Sequence, residues 1–379
     1  MISTIYTIDT VTNSSLHSLE KSISAAFGRC DFLLFTIASG MDIETTAKKI
    51  KDIFKTDKFA IYHAIEHFNN TKIVENSLSV CCFQFQKSAE LHTFYVEDIN
   101  NDTNIQKTIE YFNSNNDKFH IIIAGLCDGA IANAIDKISE NLDYSPIDNI
   151  VGGVSSGIKI ENEFHTFQYI DNHVIKNGFI ILSFEGVDAE IDISLGFQPY
   201  GITYEITKAD TNKLYTVDDG KSFAYIAKKM LCNTGETIDI RNLWYCPLSI
   251  LSSEDGYTST LRTIENVTES HVEFFAPVKK GEHFKLSFAT PQDLIQSDKN
   301  TAKRLIKKLQ EPELSFNFSC IARQYVLEDM QHKEIETYVQ EFKTNLFGFF
   351  TFGEIGPDTL YKKLKFYNET SLVVAMRES

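Results

Sequence analysis

Basic side chains are scarce in this chain: 36 Lys and Arg stand against 52 Asp and Glu, a net charge of −16 over 379 residues. A nucleic-acid surface needs a basic face to neutralise phosphate, and this balance argues against that class of partner. A local basic pocket for a small ligand can survive inside an acidic total. Long apolar runs are also missing; none approaches the roughly 18 residues of a membrane span. The first residues, Met1-Ile2-Ser3-Thr4-Ile5-Tyr6, lack the basic start and apolar stretch of a signal peptide. Cysteine is sparse and unpaired in its spacing, with seven residues at 30, 81, 82, 127, 232, 246 and 320 and no C-x-x-C. That pattern suits reduced thiols better than a disulfide framework or a zinc site. The expectation is a soluble cytoplasmic protein with no nucleic-acid partner and no membrane insertion.

What is present is regular. Leu314-Ser315-Phe316-Asn317-Phe318-Ser319-Cys320 alternates as a half-buried strand does. Residues 332–346 place Ile335, Tyr338, Val339, Phe342 and Leu346 on one helical stripe. A strand at Gly348–Phe352 then runs into a loop, Gly353-Glu354-Ile355-Gly356-Pro357, and strand pieces surround Asn368. Earlier, Phe32–Ile37 reads as a strand, residues 44–54 as a helix and Lys58–Tyr62 as a second strand ending at His63. His120–Ala124 begins the same order again, with a turn at Cys127-Asp128-Gly129, a helix over 131–142, a loop Gly152–Gly157 and a hairpin of His165–Ile170 with Phe179–Phe184.

Residues 31–86, 118–184 and 313–375 therefore share one order of elements, which predicts a degenerate internal repeat of strand-helix-strand-hairpin units. The fold class expected is mixed α/β, with mixed sheets in two domains, 1–231 and 241–379, joined by the polar stretch 232–240. Strand-end loops are where such folds carry ligands. The loops Ala64–Phe68, Gly152–Gly157 and Gly353–Gly356 should occupy equivalent places.

Candidate site residues gather there. Arg323 has the planar fork that suits a carboxylate or phosphate; its bland alternative is an ion pair with Glu354. Cys320 reads either as a pocket thiol or as a small core residue. Glu354 can accept a ligand ammonium or cap a turn. The amides near Gly152, Gly153 and Ser155 can cradle an anion. Gly153-Val154-Ser155-Ser156-Gly157 matches the G-x-S-x-G nucleophile elbow, but a hairpin rather than a helix follows, so a hydrolase using Ser155 or Cys320 is the outlying reading. His63 and His67 lie four apart at a strand end, with no third metal ligand nearby. Haem needs only one strong axial ligand, so spacing leaves it open.

The motifs Phe318-Ser319-Cys320-Ile321-Ala322-Arg323, Gly348–Ile355 and Asn368-Glu369-Thr370-Ser371-Leu372 resemble the C-terminal FIST domain. Gly152-Gly153, Gly196–Gly201 and Leu214–Gly220 resemble its N-terminal partner. The resemblance implies a sensory module for a small molecule, with amino acids a suggested ligand class, that signals to a partner such as a histidine kinase or a cyclic-dinucleotide enzyme. It also implies an alternative, haem-based sensing of nitric oxide. No kinase, cyclase or membrane segment follows, so a free-standing, non-enzymatic sensor is expected. The ligand-binding set expected is Gly152, Gly153, Ser155, Cys320, Arg323, Gly353 and Glu354, with Arg323→Ala abolishing binding without unfolding. Where relatives carry a Gly/Ser-rich loop ending in Gly-Glu, this chain has His63–Asn70, which implies a different ligand.

Overall fold

The computed structural model describes residues 1–28, 30–126, 129–161, 163–231, 240–252 and 256–379. The Cys127-Asp128 turn and residues 232–239 of the expected link lie outside the described residues.

The predicted repeat is present as three units. The first runs strand Ile2–Ile8, helix Asn13–Phe27, strand Phe32–Ala38, helix Ile43–Phe54, strand Phe59–Ala64, hairpin Glu66–Asn69 with Lys72–Glu75, and strand Leu78–Gln84. The second follows the same order: Glu90–Val96, helix Asp102–Ser114, Phe119–Ala124, helix Ala130–Glu140, Ile150–Val154, hairpin Gln168–Ile170 with His173–Ile175, and Phe179–Glu185. The third has strand Val187–Ser194, helix Pro291–Lys308, strand Leu314–Cys320, helix Gln331–Phe342, strand Asn345–Thr351, hairpin Glu354–Asp358 with Lys363–Tyr367, and strand Ser371–Glu378.

Each unit builds a six-stranded sheet, but the hairpin at its edge comes from another unit. The first unit's hairpin pairs with Asn345–Thr351 of the third. The third unit's pairs with Ile150–Val154 of the second, and the second unit's with Phe59–Ala64 of the first. The exchange is cyclic. The hydroxyl of Ser156 ties all three units together, accepting from the Ile65 amide and donating to the Phe350 carbonyl.

The sheets meet on a common core. In the first unit Phe32 and Leu34 face it, while Leu33, Phe35 and Ile37 face the unit's own helices. In the second, Phe119, Ile121 and Ile123 face it, and Ile122 and Ala124 turn outward. Burial on both faces explains why these strands read as continuous apolar runs. The third unit differs. Phe316 and Phe318 point to the common core, but the intervening Ser315, Asn317 and Ser319 are buried too. The alternation that suggests a solvent-facing side instead marks a polar layer under the helices of that unit.

Between Ser194 and Pro291 the third unit carries an insertion with its own sheet and core. Its strands are Gln198–Asp210, Lys213–Val217, Leu248–Leu251, Thr258–Arg262, Ile264–Val267, Val272–Phe274 and His283–Phe288, beside the helix Phe223–Leu231. The stretches 1–231 and 241–379 do not close separately. Val187–Ser194 pairs with Ser371–Glu378, and Gln198–Asp210 pairs with His283–Phe288.

Two local expectations change. Phe179–Glu185 is not the second arm of the 165–170 hairpin; it pairs with Phe119–Ala124 and Glu90–Val96 in a different sheet, and His173–Ile175 takes the arm instead. Gly152-Gly153-Val154 and Glu354–Asp358, read as loops, are strands. Their glycines are there for close approach: a Cβ on Gly152 would collide with the Ile122 carbonyl, and one on Gly356 with Leu372. Pro357 is tolerated because the neighbouring strand pairs only with Glu354 and Ile355.

Candidate ligand site

Cys320 ends its strand and opens the short helix Ile321–Leu327, to which the sequence reading assigns no element. Cys320, Ile321 and Ala322 form part of the wall of a cavity of about 550 Å³. Another part of the wall belongs to the insertion and includes Trp244, Thr263 and Phe275. The cavity thus lies between the three-unit body and its insertion. Phe164 and Phe352, packed edge to face at 5.4 Å, close a further side.

Its polar end is short of partners. Asn368 lines the cavity, is only 2% exposed, and its Oδ1 has no hydrogen-bond partner. Thr263 donates to Glu369 Oε1 at 3.0 Å, while Glu369 Oε2 has none. Glu354 is fully buried, accepting from the hydroxyls of Thr351 and Thr370 and from the Thr370 amide at 3.3 Å. Burial pushes both carboxyls up to about 8, and each also feels the other or its hydroxyl donors. Near neutral pH both are held as neutral acids. Burial, reinforced by Glu354 and Glu369, pushes the Cys320 thiol up as well, which keeps it protonated and poorly nucleophilic.

Arg323 does not pair with Glu354. All three of its nitrogens donate elsewhere: Nη2 to both oxygens of Asp298 at 2.6 and 2.7 Å and to the Leu294 carbonyl at 3.3 Å, Nη1 to the Leu195 carbonyl at 3.4 Å, and Nε to Glu334 at 3.4 Å. Arg323, Asp298 and Glu334 are all at 0% exposure. Burial lifts the Asp298 carboxyl to about 6 against the pull of Arg323. Tyr338 joins Asp298 to Ser371, and Asn317 bonds Ser371 from below. The network is the polar layer of the third unit. Leu195 and Leu294 flank the two points where the insertion leaves and rejoins that unit, so the guanidinium pins its root.

The glycine-rich stretch is also closed. The amide of Val154 donates to Gly353, and that of Ser155 to Ala124, while Gly152 and Gly153 sit within strand pairing. A Cβ on Gly153 would lie 2.7 Å from Thr351, and one on Gly353 would strike the Phe366 ring. These residues shape packing and leave no anion cradle. Ser155 is buried and its hydroxyl accepts from Gln168 at 3.1 Å, with no helix after it. Of the expected set, Cys320 lines the cavity and Glu354 stands behind it. Sequence reasoning missed Trp244, Thr263, Phe275 and Asn368, because the insertion supplies most of them. Asn368 lay inside a quoted motif, and its place between two strands was the available signal.

No histidine lines the cavity among the described residues. His63 is buried with Nε2 on the Met41 carbonyl at 3.0 Å and Nδ1 accepting from the Phe167 amide. His67 is buried in a strand beside Ser77. Among the described residues no three His, Cys, Asp or Glu are grouped to hold a metal ion.

Fold and site define a mixed α/β protein of three hairpin-exchanged units with a cavity beneath an inserted sheet. The chain belongs to the FIST family: the FIST N domain matches residues 31–220 and the FIST C domain residues 227–357. Domains of this family are sensory and signalling modules that bind small ligands. An uncharacterized protein of Aquifex aeolicus (strain VF5) is 32% identical over 246 residues, 63% of this chain and 88% of that protein. Among solved structures, a cyanuric acid hydrolase from A. caulinodans aligns over 100% of this chain and 99% of its own at 6% identity and a TM-score of 0.39. A second cyanuric acid hydrolase aligns over the same shares at 7% identity and a TM-score of 0.32. No described helix is long and apolar enough to cross a membrane.

Proposed function

We propose that this protein is a cytoplasmic, non-catalytic sensor that takes a small ligand into the cavity between its three-unit body and its insertion. One observation carries the reading: the cavity of about 550 Å³ combines aromatic walls with a buried Asn368 whose Oδ1 lacks a partner. Its volume and its few polar groups on an apolar lining are those of a small-molecule site. Closure around the ligand would fix the insertion against the body and alter an outer surface. Tyr200, Ile202 and Phe288 of the insertion are 47, 66 and 48% exposed, as an interface with a signalling partner requires. A histidine kinase or cyclic-dinucleotide enzyme is the partner class that the family suggests. Cys30, Cys81, Cys82, Cys246 and Cys320 are free thiols, which supports the cytoplasmic placement.

Trp244 is the chain's single tryptophan and stands in the cavity wall. A ligand found by thermal shift should therefore change its emission, and Asn368→Ala should weaken that ligand. A ligand that stabilises the protein with Trp244 emission unchanged and Asn368→Ala silent binds elsewhere, and the proposal fails.

A further inference from the structure

The cavity's lining is one-sided in charge. No Lys, Arg or His lines it among the described residues, whereas Glu265 and Glu273 do. The basic groups around it are engaged. Arg323 is enclosed by Asp298 and Glu334. Arg262 donates to the carbonyls of Leu261, Pro277 and Phe366, and Lys213 and His271 are taken up by Glu273 Oε1 at 3.4 and 3.0 Å, leaving Glu265 and Glu273 as the charged residues of the lining. A ligand carboxylate entering this space would give up water and meet carboxylates in a poorly screened site, with no cation in the lining to receive it.

The remaining features favour the opposite charge. Faces of Trp244, Phe275 and Phe164 attract cations through the ring quadrupole. The ammonium of Lys159, which does not line the cavity, sits 5.6 Å from the centroid of the Phe164 ring, so one of the lining rings already takes part in a cation–π contact. The unpartnered Oδ1 of Asn368 accepts hydrogen bonds and calls for a donor. Ile131, Val154 and Ile321 make the rest of the lining apolar. The net charge of −16 draws cations toward the surface.

We infer that the ligand is an organic ammonium with a flat apolar body, a free amine rather than an amino acid. The inference rests on the cavity being the sensory site. An amino acid's ammonium would be met, but its carboxylate would not.

The test uses the full chain and three probes with one body and different charge: phenethylamine, phenylalanine and phenylacetate. Binding is read by Trp244 emission and by calorimetry. Phenethylamine is expected to bind at least about tenfold more tightly than phenylalanine, with phenylacetate weakest. If phenylalanine or phenylacetate binds as tightly as phenethylamine, the charge assignment is overturned while the cavity stands as the ligand site. If none of the three binds or moves Trp244, the cavity reading and the charge assignment fall together. Glu273→Gln, on the cavity wall, should weaken phenethylamine several-fold and leave the uncharged 2-phenylethanol unchanged. Equal losses for both probes would mean that Glu273 only supports the fold, and would overturn its part in recognising charge.

Discussion

Cys320 and Arg323 lie three residues apart, yet the polar groups around them are organised in opposite ways. At Arg323 a full guanidinium is enclosed by two carboxylates and two backbone carbonyls, with every nitrogen engaged. Around Cys320 the groups are neutral and under-bonded: a thiol, two carboxyls held protonated, and an Asn368 oxygen with no partner. The first arrangement satisfies a charge so completely that none remains for a guest. Unmet hydrogen-bonding capacity, which a folded interior normally avoids, exists on both sides: at Glu334 Oε1, Gln324 Oε1 and Asn317 Oδ1 in the layer around the arginine, and at Asn368 Oδ1 and Glu369 Oε2 near Cys320, of which only Asn368 lines the cavity. The guanidinium is engaged at every nitrogen and does not line the cavity, whereas Asn368 joins an unpartnered oxygen to a place in the cavity wall, so we propose the arginine as scaffold and the cavity as site.

The largest expected effect tests the scaffold half. Arg323→Ala leaves Asp298 and Glu334 buried without their cation and should cost about 3–5 kcal/mol of stability, read by urea unfolding. Retained stability with lost ligand binding would reverse the two roles. Next, Gly153→Ala drives a methyl toward Thr351 and Phe318 and should cost about 1–3 kcal/mol by overpacking; an unchanged melting midpoint would show that the contact relaxes freely.

Protonation sharpens the other half. Glu354 and Glu369 titrate near 8 in the fold and in the ordinary carboxylate range when unfolded. Between those values the native state holds more protons, so their contribution to stability is full at low pH and is lost as pH rises toward and through about 8. Glu369→Gln should therefore match the wild type near about pH 5 and gain on it steadily toward about pH 8.5. A constant difference in melting temperature across that range would show that Glu369 is ionised in the native protein. The smallest effect belongs to Asn368→Leu, which removes an unpaired polar group and should change stability by less than about 1 kcal/mol. A large loss would mean that Asn368 has a structural partner.

Much of the fold could be read from residue patterns. The apolar runs at Phe32–Ile37 and His120–Ala124 and the alternation at Leu314–Cys320 located the central strands, and their common order exposed the repeat. Helices Asn13–Phe27 and Asp102–Ser114 went unread, and Ile321–Leu327 is too short to show a helical stripe, the more so because Arg323 and Gln324 are buried beside Ala322, Val326 and Leu327 rather than exposed. Hairpin exchange was out of reach, since local pattern specifies a hairpin but not the sheet it joins. The site was legible only in part for a related reason. Cys320 and Glu354 belong to the repeat, whereas Trp244 and Phe275 come from the insertion, and nothing in residue spacing says that the two surfaces face each other.

Hairpin exchange also has a consequence for synthesis. Glu66–Glu75 leaves the ribosome long before its pairing strand, Asn345–Thr351. In that interval the arm is an open edge of the kind that recruits foreign strands. A fold dominated by such distant pairings forms slowly. Because the exchange runs around a closed ring, losing any one hairpin leaves a neighbouring sheet incomplete, so all three units must be made before the ring can close.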